Sequence, residues 1–399
     1  MGVSELFLRI LSVLFCGAWI YALVYMLRSI RRIPVLRDVT SGTHLDDGPW
    51  PALSIIIPAC NEAKHLEAAL KSLLKQDYPA LEVIVVNDRS TDSTGEIIDR
   101  MAATDARIQV VHIETLPDGW LGKVHAMHRG VQLAAGHWYL FTDADVYFEP
   151  DMLKCAVGYA HRHKLTHLTC VPEVNLPGAF WLDVVIRSFF LMFSVATRLT
   201  SVNREASKWA VGIGAFNFVE AAVFNRTPGF EWLRMEPADD LGLGLMVKQA
   251  GARTALVHGA GMLKVPWYTS VKEMFQGLEK NSFGPGANYR YSQQLFIVVL
   301  LWLLALAPAF SVVLGFLMPD PILFASGGLA VVSTLVVACV MPRDSARQIL
   351  SYVLLPVGVL VMSAIMLRAA FLCFRNDGID WRGTHYSVEK LRAGQRVRF

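Results

Sequence analysis

The sequence predicts an α/β domain with a parallel sheet, set between membrane-spanning helices. Two observations lead there. Apolar residues crowd both ends of the chain, whereas the middle has the polar balance of a globular domain. That middle alternates short β-type runs with amphipathic helical runs. The chain has 399 residues, 54% of them hydrophobic, and a net charge of +3. Such a charge is too small to imply nucleic acid as a partner, and no long basic run carries interleaved aromatics. The six cysteines (Cys16, Cys60, Cys155, Cys170, Cys339 and Cys373) include no C-x-x-C pair. Neither a disulfide framework nor a zinc site is expected, and a reducing compartment fits the middle domain.

Residues 6–27 are almost continuously apolar, broken by Arg9. At about 1.5 Å per residue this run is long enough to cross a bilayer. Arg28, Arg31, Arg32 and Arg37 follow it. A signal peptide carries its charge before the apolar run, so an uncleaved anchor over 1–28 is expected, with the chain from residue 28 onward in the cytoplasm of an inner-membrane protein.

The domain expected over 50–290 begins with "LSIII" (53–57), a buried strand. Residues 62–76 follow as a helix with Leu66, Leu70, Leu73 and Leu74 on one face. "LEVIVVN" (81–87) is the second strand, "STDSTGEIIDRMAA" a capped helix, and "IQVVHI" (108–113) the third strand. Residues 121–135 form a helix and "HWYLFT" (137–142) the fourth strand. This alternation argues for a parallel sheet covered by helices. "HRHK" (161–164) falls on a helix, where i and i+2 do not share a face, and reads as solvated surface. Residues 180–199 are apolar but carry Asp183, Arg187 and Arg198. They form either a helix in the membrane interface, the preferred reading, or a buried core helix.

Three further apolar runs, 294–318, 322–341 and 348–373, are candidate spans within 294–373; Pro308 and Pro356 inside them are tolerated in membrane helices. The loop 342–347 carries Arg343 and Arg347, and a basic tail occupies 374–399. Simple counting puts that tail outside. The positive-inside tendency puts it inside, with Trp381 and Tyr386 at the membrane interface, and the charges are the better guide. An even number of crossings results if 348–373 is re-entrant or an earlier segment does not cross.

The polar residues fall on one edge of the predicted sheet. The first strand ends in "PACNE" (58–62), the second in Asn87-Asp88 and the fourth in Asp143-Ala144-Asp145. One Asp after a strand is usually a turn or cap residue. Three polar clusters at the C-terminal strand edge, where such sheets bind ligands, point to a site. Alternation along an extended chain puts Asp143 and Asp145 on one side. Two carboxylates so close repel, and a divalent cation relieves the repulsion. Mg²⁺ and Mn²⁺ prefer oxygen ligands, and Mg²⁺ usually binds through one or two carboxylates plus substrate phosphates.

The ordered motifs "P-x-x-N-E", "N-D-x-S-x-D-x-T", "G-W-x-G-K", "T-D-A-D" and "D-D" resemble the inverting family 2 glycosyltransferases with a GT-A fold, over roughly 50–285. Within them the chain is most similar to the membrane-anchored, lipid-glycosylating groups, the ceramide glucosyltransferase-like and hopanoid- or carotenoid-associated enzymes. Those also carry "G-W-x-G-K", here Gly119 to Lys123, and a C-terminal "W-R-G-x-x-Y", here Trp381 to Tyr386. The resemblance implies a nucleoside-diphosphate sugar donor, a UDP-sugar first among them, a lipid acceptor at the bilayer, and Mg²⁺ or Mn²⁺. It implies that Pro58, Asn61 and Glu62 shape the nucleotide pocket and that Asp88 holds the base or ribose. Lys123 would reach the donor phosphates; an exposed helix lysine is the other reading of it. Asp143 would face the donor and Asp145 would bind the metal. Asp240 takes the catalytic base position with Asp239 beside it, which is compatible with acids in the first turn of a helix.

"VGIGAFNFV" (211–219) resembles a glycine-containing segment of the acceptor cleft; a plain buried strand is its alternative. The Q-x-x-R-W of processive members is absent, and "GLEKNSFGPG" (277–286) stands there. Leu278 replaces the Trp of a G-W-x-K-N pattern, and Lys280 remains to contact the diphosphate. Three rivals stay open: a polyprenyl-phosphate sugar transferase, a polysaccharide synthase and a membrane nucleotide sensor.

Overall fold

The computed structural model describes residues 3–39, 49–174, 178–204, 207–341 and 346–398. Arg343 and residue 399 lie outside the described residues. The chain opens with helix α1 (Val3–Arg32). The domain then lays down β1 (Leu53–Ala59), α2 (Leu66–Leu74), β2 (Leu81–Asp88), α3 (Thr94–Ala102), β3 (Ile108–Ile113), α4 (Gly122–Val131) and β4 (Trp138–Phe141). These are the elements expected, in the order expected.

Helix α2 starts four residues later than its periodicity predicts, and the reason is local. Glu62 N–H donates to Thr94 Oγ1 at 2.8 Å and Ala63 N–H to Asp92 Oδ2 at 3.2 Å. The loop after β1 is thereby tied to the loop after β2 and cannot enter the helix. All seven residues of β1 are buried, as an interior strand covered on both faces requires.

Three more strands complete the main sheet: β5 (His167–Val171), β6 (Asn217–Glu220) and β7 (Thr254–His258). The order across it is β3-β2-β1-β4-β6-β5-β7. The sheet is mixed, not wholly parallel as the alternation predicted: β6 runs antiparallel to both β4 and β5. The segment before β6 crosses the ligand edge, so the chain enters the sheet from that edge and must run back. Asn217 accordingly pairs with Phe141, the last residue of β4.

Helix α5 (Phe180–Ala196) buries Leu182, Val185 and Ile186 against Met274 and Leu278, and against Met362 and Ile365. That packing is core-like, at the place where the domain meets the apolar helices. Helices α6 (Asp239–Gln249) and α7 (Val271–Leu278) close the domain. His161 to Lys164 are exposed, as expected.

The second half is helical: α8 (Tyr291–Leu317), α9 (Pro321–Val340), α10 (Ala346–Val353) and α11 (Leu355–Arg375). Four helices, α1, α8, α9 and α11, are long and apolar enough to cross a membrane. Polar contacts join three of them: Ser12 Oγ donates to Ser311 Oγ at 2.7 Å, and Trp19 Nε1 to Thr334 Oγ1 at 3.1 Å. Helix α11 packs on both α5 and α8: Ser188 Oγ donates to Leu355 O at 3.1 Å, Trp302 Nε1 donates to Ser363 Oγ at 2.6 Å, and Phe374 meets Tyr291, the first residue of α8.

The tail forms a hairpin, β8 (Gly378–Trp381) and β9 (Thr384–Ser387), then α12 (Val388–Gly394). It sits on the α/β domain. Arg89 Nη1 donates to Thr384 Oγ1 at 3.1 Å, and Gly122 N–H to the Tyr386 hydroxyl at 3.3 Å. Trp381 and Tyr386 were expected at a membrane interface. They pack on the domain instead, Tyr386 buried against the start of α4 and Trp381 against Lys280.

Candidate active site

The C-terminal ends of β1 and β4 and the N-terminal ends of α4 and α6 converge on one point. Asp143 leaves β4 with its N–H donating to Gly214 O at 3.1 Å. The chain then turns through Ala144 and Asp145. Both carboxylates face the same cavity, but the turn, not strand alternation, puts them there.

Lys123, in the first turn of α4, reaches between two elements. Its Nζ lies 2.8 Å from Asp143 Oδ1 and 3.1 Å from Asp239 Oδ2. Asp239 and Asp240 open α6, as acids at a helix N-terminus should. Asp240 accepts from Gly214 N–H at 3.1 Å and from Leu241 N–H at 2.8 Å. The segment 211–216 lies close against both acids. A Cβ on Gly212 would sit 1.9 Å from Asp240 O, and one on Gly214 would sit 2.6 Å from Asp143 Oδ2. Only glycine allows that approach.

Burial and crowding set the charges. Burial, then the charges of Asp143 and Glu62, push the Asp145 carboxyl up to about 7. Burial and the neighbouring Asp239 raise Asp240, and Lys123 works against them. Burial also acts to raise Asp143, but Lys123 outweighs it and holds this carboxyl below its usual range. The result is a half-exposed acid held as carboxylate by a lysine, beside two acids with elevated proton affinity. That separation is what acid–base chemistry near neutrality uses.

The carboxylates line a cavity of about 590 Å³ that also includes Pro58, Glu62, Lys280 and, from α11, Arg368 and Leu372. A smaller recess beside it holds Asp239 and Asp240 against Met127, Phe141 and Leu243.

Residues 54–205 match the family described as Glycosyl transferase family 2. This stretch is similar to family 2 glycosyltransferase domains. The match takes in Pro58, Glu62, Lys123, Asp143 and Asp145 and stops before Asp239 and Asp240. The chain is similar to 4,4'-diaponeurosporenoate glycosyltransferase of Staphylococcus aureus, with 44% identity over 98 residues, 24% of each chain. It is also similar to the uncharacterised glycosyltransferase EpsJ of Bacillus subtilis, 34% identical over 120 residues, 30% of this chain and 33% of that one. The chain thus spans a third or less of the length of these relatives. Mannosyltransferase PcManGT from Pyrobaculum calidifontis, solved with GDP-Man and Mn²⁺, is 19% identical with a TM-score of 0.49, covering 92% of this chain and 98% of that one.

Within and around this stretch, the structure brings together Pro58, Glu62, Lys123, Asp143, Asp145 and Lys280 on the main cavity, and Asp239 and Asp240 on the recess. Asn61 and Asp88 do not line either. Asn61, at φ 56°, accepts from Thr91 N–H at 2.8 Å and so fixes the loop that presents Glu62. Asp88 is 1% exposed, paired with Arg89 Nε at 2.8 Å. Sequence reasoning missed Arg382, whose Nη2 lies 2.7 Å from Glu62 Oε1 inside the cavity. It also missed Glu236, buried and accepting from Ala238, Arg396 and Val397 N–H. Glu236 thereby straps the end of the tail to the loop that leads into Asp239-Asp240.

Among the described residues, no three metal-type side chains converge. The donors present fit a hard cation in type, since Asp143 and Asp145 offer carboxylate oxygens. Asp145, which forms no ion pair among the described residues, is the free one; Lys123 engages Asp143.

Proposed function

We propose that this protein transfers a sugar from a nucleoside-diphosphate sugar to the hydroxyl of a lipid, with inversion, at a membrane face. The observation that supports this most is the cavity. It is lined by the acids and Lys123 and, from the last turns of α11, by Ala369, Leu372 and Cys373 together with Arg368 and Arg375. A polar donor and an apolar acceptor are accommodated by such a cleft.

Asp240 takes the proton of the acceptor hydroxyl as general base. Its carboxylate is oriented by the Gly214 and Leu241 amides, and its raised proton affinity suits the task. The freed oxygen forms a bond to the anomeric carbon as the bond from that carbon to the diphosphate breaks. The nucleoside diphosphate leaves from the opposite face, so one displacement inverts the centre. Lys123 neutralises Asp143 and Asp239, which keeps the recess from accumulating charge. Mg²⁺ or Mn²⁺, held by Asp145 with Asp143 beside it, would supply charge stabilisation for the departing diphosphate.

The topology follows the charges. The tail rests on the domain, so the chain crosses an even number of times between them: α8 and α9 cross, and α11 lies along α5. Arginines after α1 put the domain in the cytoplasm.

The test uses the full-length protein in native membranes with radiolabelled nucleotide-sugars. A lipid-soluble product that resists mild acid, and vanishes with excess chelator, is expected. An acid-labile product favours a polyprenyl-phosphate acceptor instead, and a water-soluble polymer sinks the lipid reading.

A further inference from the structure

The tail hairpin carries an oddity at its tip. Trp381 pairs with Thr384, so the turn is Arg382-Gly383. Both residues have positive φ, 49° and 76°, as a two-residue primed turn requires. Asn, Asp or Gly is the usual first residue there; an arginine in this region costs about 1–2 kcal/mol. A side chain held against that cost is one to examine for function. The Arg382 guanidinium turns into the cavity and meets Glu62.

Lys280 is the second oddity. It lines the same cavity with its Nζ 3.9 Å from the Trp381 ring centroid, and it forms no ion pair among the described residues. Burial, and the nearby charge of Lys123, depress it to about 8. Asp239 and Asp143 pull the other way without pairing with it; a half-buried cation with no ion-pair partner is costly, and an arriving anion relieves that cost. Two cations from different parts of the chain therefore line the cavity that Asp143 and Asp145 also line, one resting on the tail's tryptophan and one carried by its turn.

We propose that the Trp381-Arg382-Gly383 turn is the tail's contribution to the donor site: Arg382 and Lys280 bind the diphosphate, and Arg382 waits on Glu62 until a diphosphate takes that carboxylate's place. This rests on the donor reading above. A guanidinium offers paired N–H donors that match phosphate oxygens as well as carboxylate oxygens, so the exchange replaces one charge-assisted pair with another. Trp381 holds the Lys280 ammonium by its ring face.

The exchange makes Glu62 a competitor of the ligand, and that is testable. Full-length protein in detergent is titrated calorimetrically, with Mn²⁺ present, against UDP, GDP, ADP and dTDP and against the matching nucleosides. Arg382→Gln is expected to weaken the preferred diphosphate by about 10-fold or more and leave the nucleoside within about 2-fold. Arg382→Lys is expected to fall between. Glu62→Gln is expected to bind the diphosphate more tightly than wild type, because the competing carboxylate is gone. If Arg382→Gln binds the diphosphate normally, the assignment is wrong. If Arg382→Gln and Glu62→Gln weaken binding alike, with matching losses of Tm, the pair is only a structural latch and the proposal is overturned. If wild type binds none of the diphosphates, the donor reading falls, and this inference with it.

Discussion

Two regions face the same cavity and are held there in opposite ways. The acids at the sheet edge sit at the ends of buried strands and at a helix N-terminus, and Lys123 balances Asp143 and Asp239 in one contact. The tail reaches the cavity from well beyond both in sequence, held by polar contacts to Gly122, Glu62, Arg89 and Glu236. Lys280, beside it, rests on the Trp381 ring and forms no ion pair among the described residues. The first region is a finished electrostatic unit. The second is a unit with a place left for an anion. Balanced charge is where a site keeps its geometry, and unbalanced charge is where it meets its substrate.

The largest effect is expected where the balance is broken. Lys123→Met leaves Asp143 and Asp239 without the cation that contacts both. Removing one partner of a buried pair costs about 3–5 kcal/mol, so the denaturation midpoint should drop well below that of wild type. Lys123 also opposes the upward push on Asp240, so the acid limb of the pH–rate profile should move to higher pH in whatever activity remains. An unmoved limb would show that Lys123 and Asp240 are not coupled.

The tail's strap is next. Glu236→Gln keeps the side-chain shape but loses acceptor capacity toward Arg396 and Val397 N–H, at a cost of about 1–3 kcal/mol. Faster limited proteolysis of 377–399 is expected, with kcat reduced through the displaced Asp239-Asp240 loop. A tail as resistant as wild type removes Glu236 from the account.

The third sharpens the acidic side. Burial and its acidic neighbours place the Asp145 carboxyl at about 7. A cation must displace that proton, so Mn²⁺ affinity should weaken by about 10-fold for each pH step below 7 and level off above it. The free-Mn²⁺ electron paramagnetic resonance signal reads this directly. A flat dependence from pH 5 to 7 argues against Asp145 as the ligand.

The smallest effect is a gain. Lys280→Met removes a half-buried cation with no ion pair among the described residues and should raise Tm while weakening the diphosphate. The sign follows from its depression to about 8. Below that pH the folded state carries the buried charge in full; between about 8 and the ordinary lysine value near 10.4 wild type recovers stability as the folded lysine gives up its proton. The gain in Tm should therefore be largest below pH 8 and shrink at pH 10. A destabilised variant at pH 7 means Lys280 has a structural partner after all.

The same contrast explains what could be read from the sequence. The strands and helices up to β4 announce themselves by local pattern, and Asp143 and Asp145 follow from their position at a strand end; Lys123 and Asp240 come from the resemblance. The reversed strand β6 was not legible, because "GAFNFV" carries apolar character but no direction. Asp88, read from the resemblance as holding the base or ribose, is buried and paired with the neighbouring Arg89. Arg382 was out of reach for a different reason. "WRGTHY" shows a turn tip and two aromatics, yet nothing local says which part of the domain it meets. The tail packs on the α/β domain. Trp381 and Tyr386, read as membrane-interface aromatics, find the domain first because Gly122 and Lys280 offer them partners.

The central claim is that Asp240 is the base of a sugar transfer, and one comparison tests it most directly: kcat and nucleoside-diphosphate affinity of Asp240→Asn in the full-length protein. The asparagine keeps the size of the side chain and an oxygen for the Gly214 and Leu241 amides but cannot take a proton. Diphosphate affinity within about 2-fold of wild type is expected, with kcat lower by about 10²-fold or more. A near-normal kcat contradicts the account.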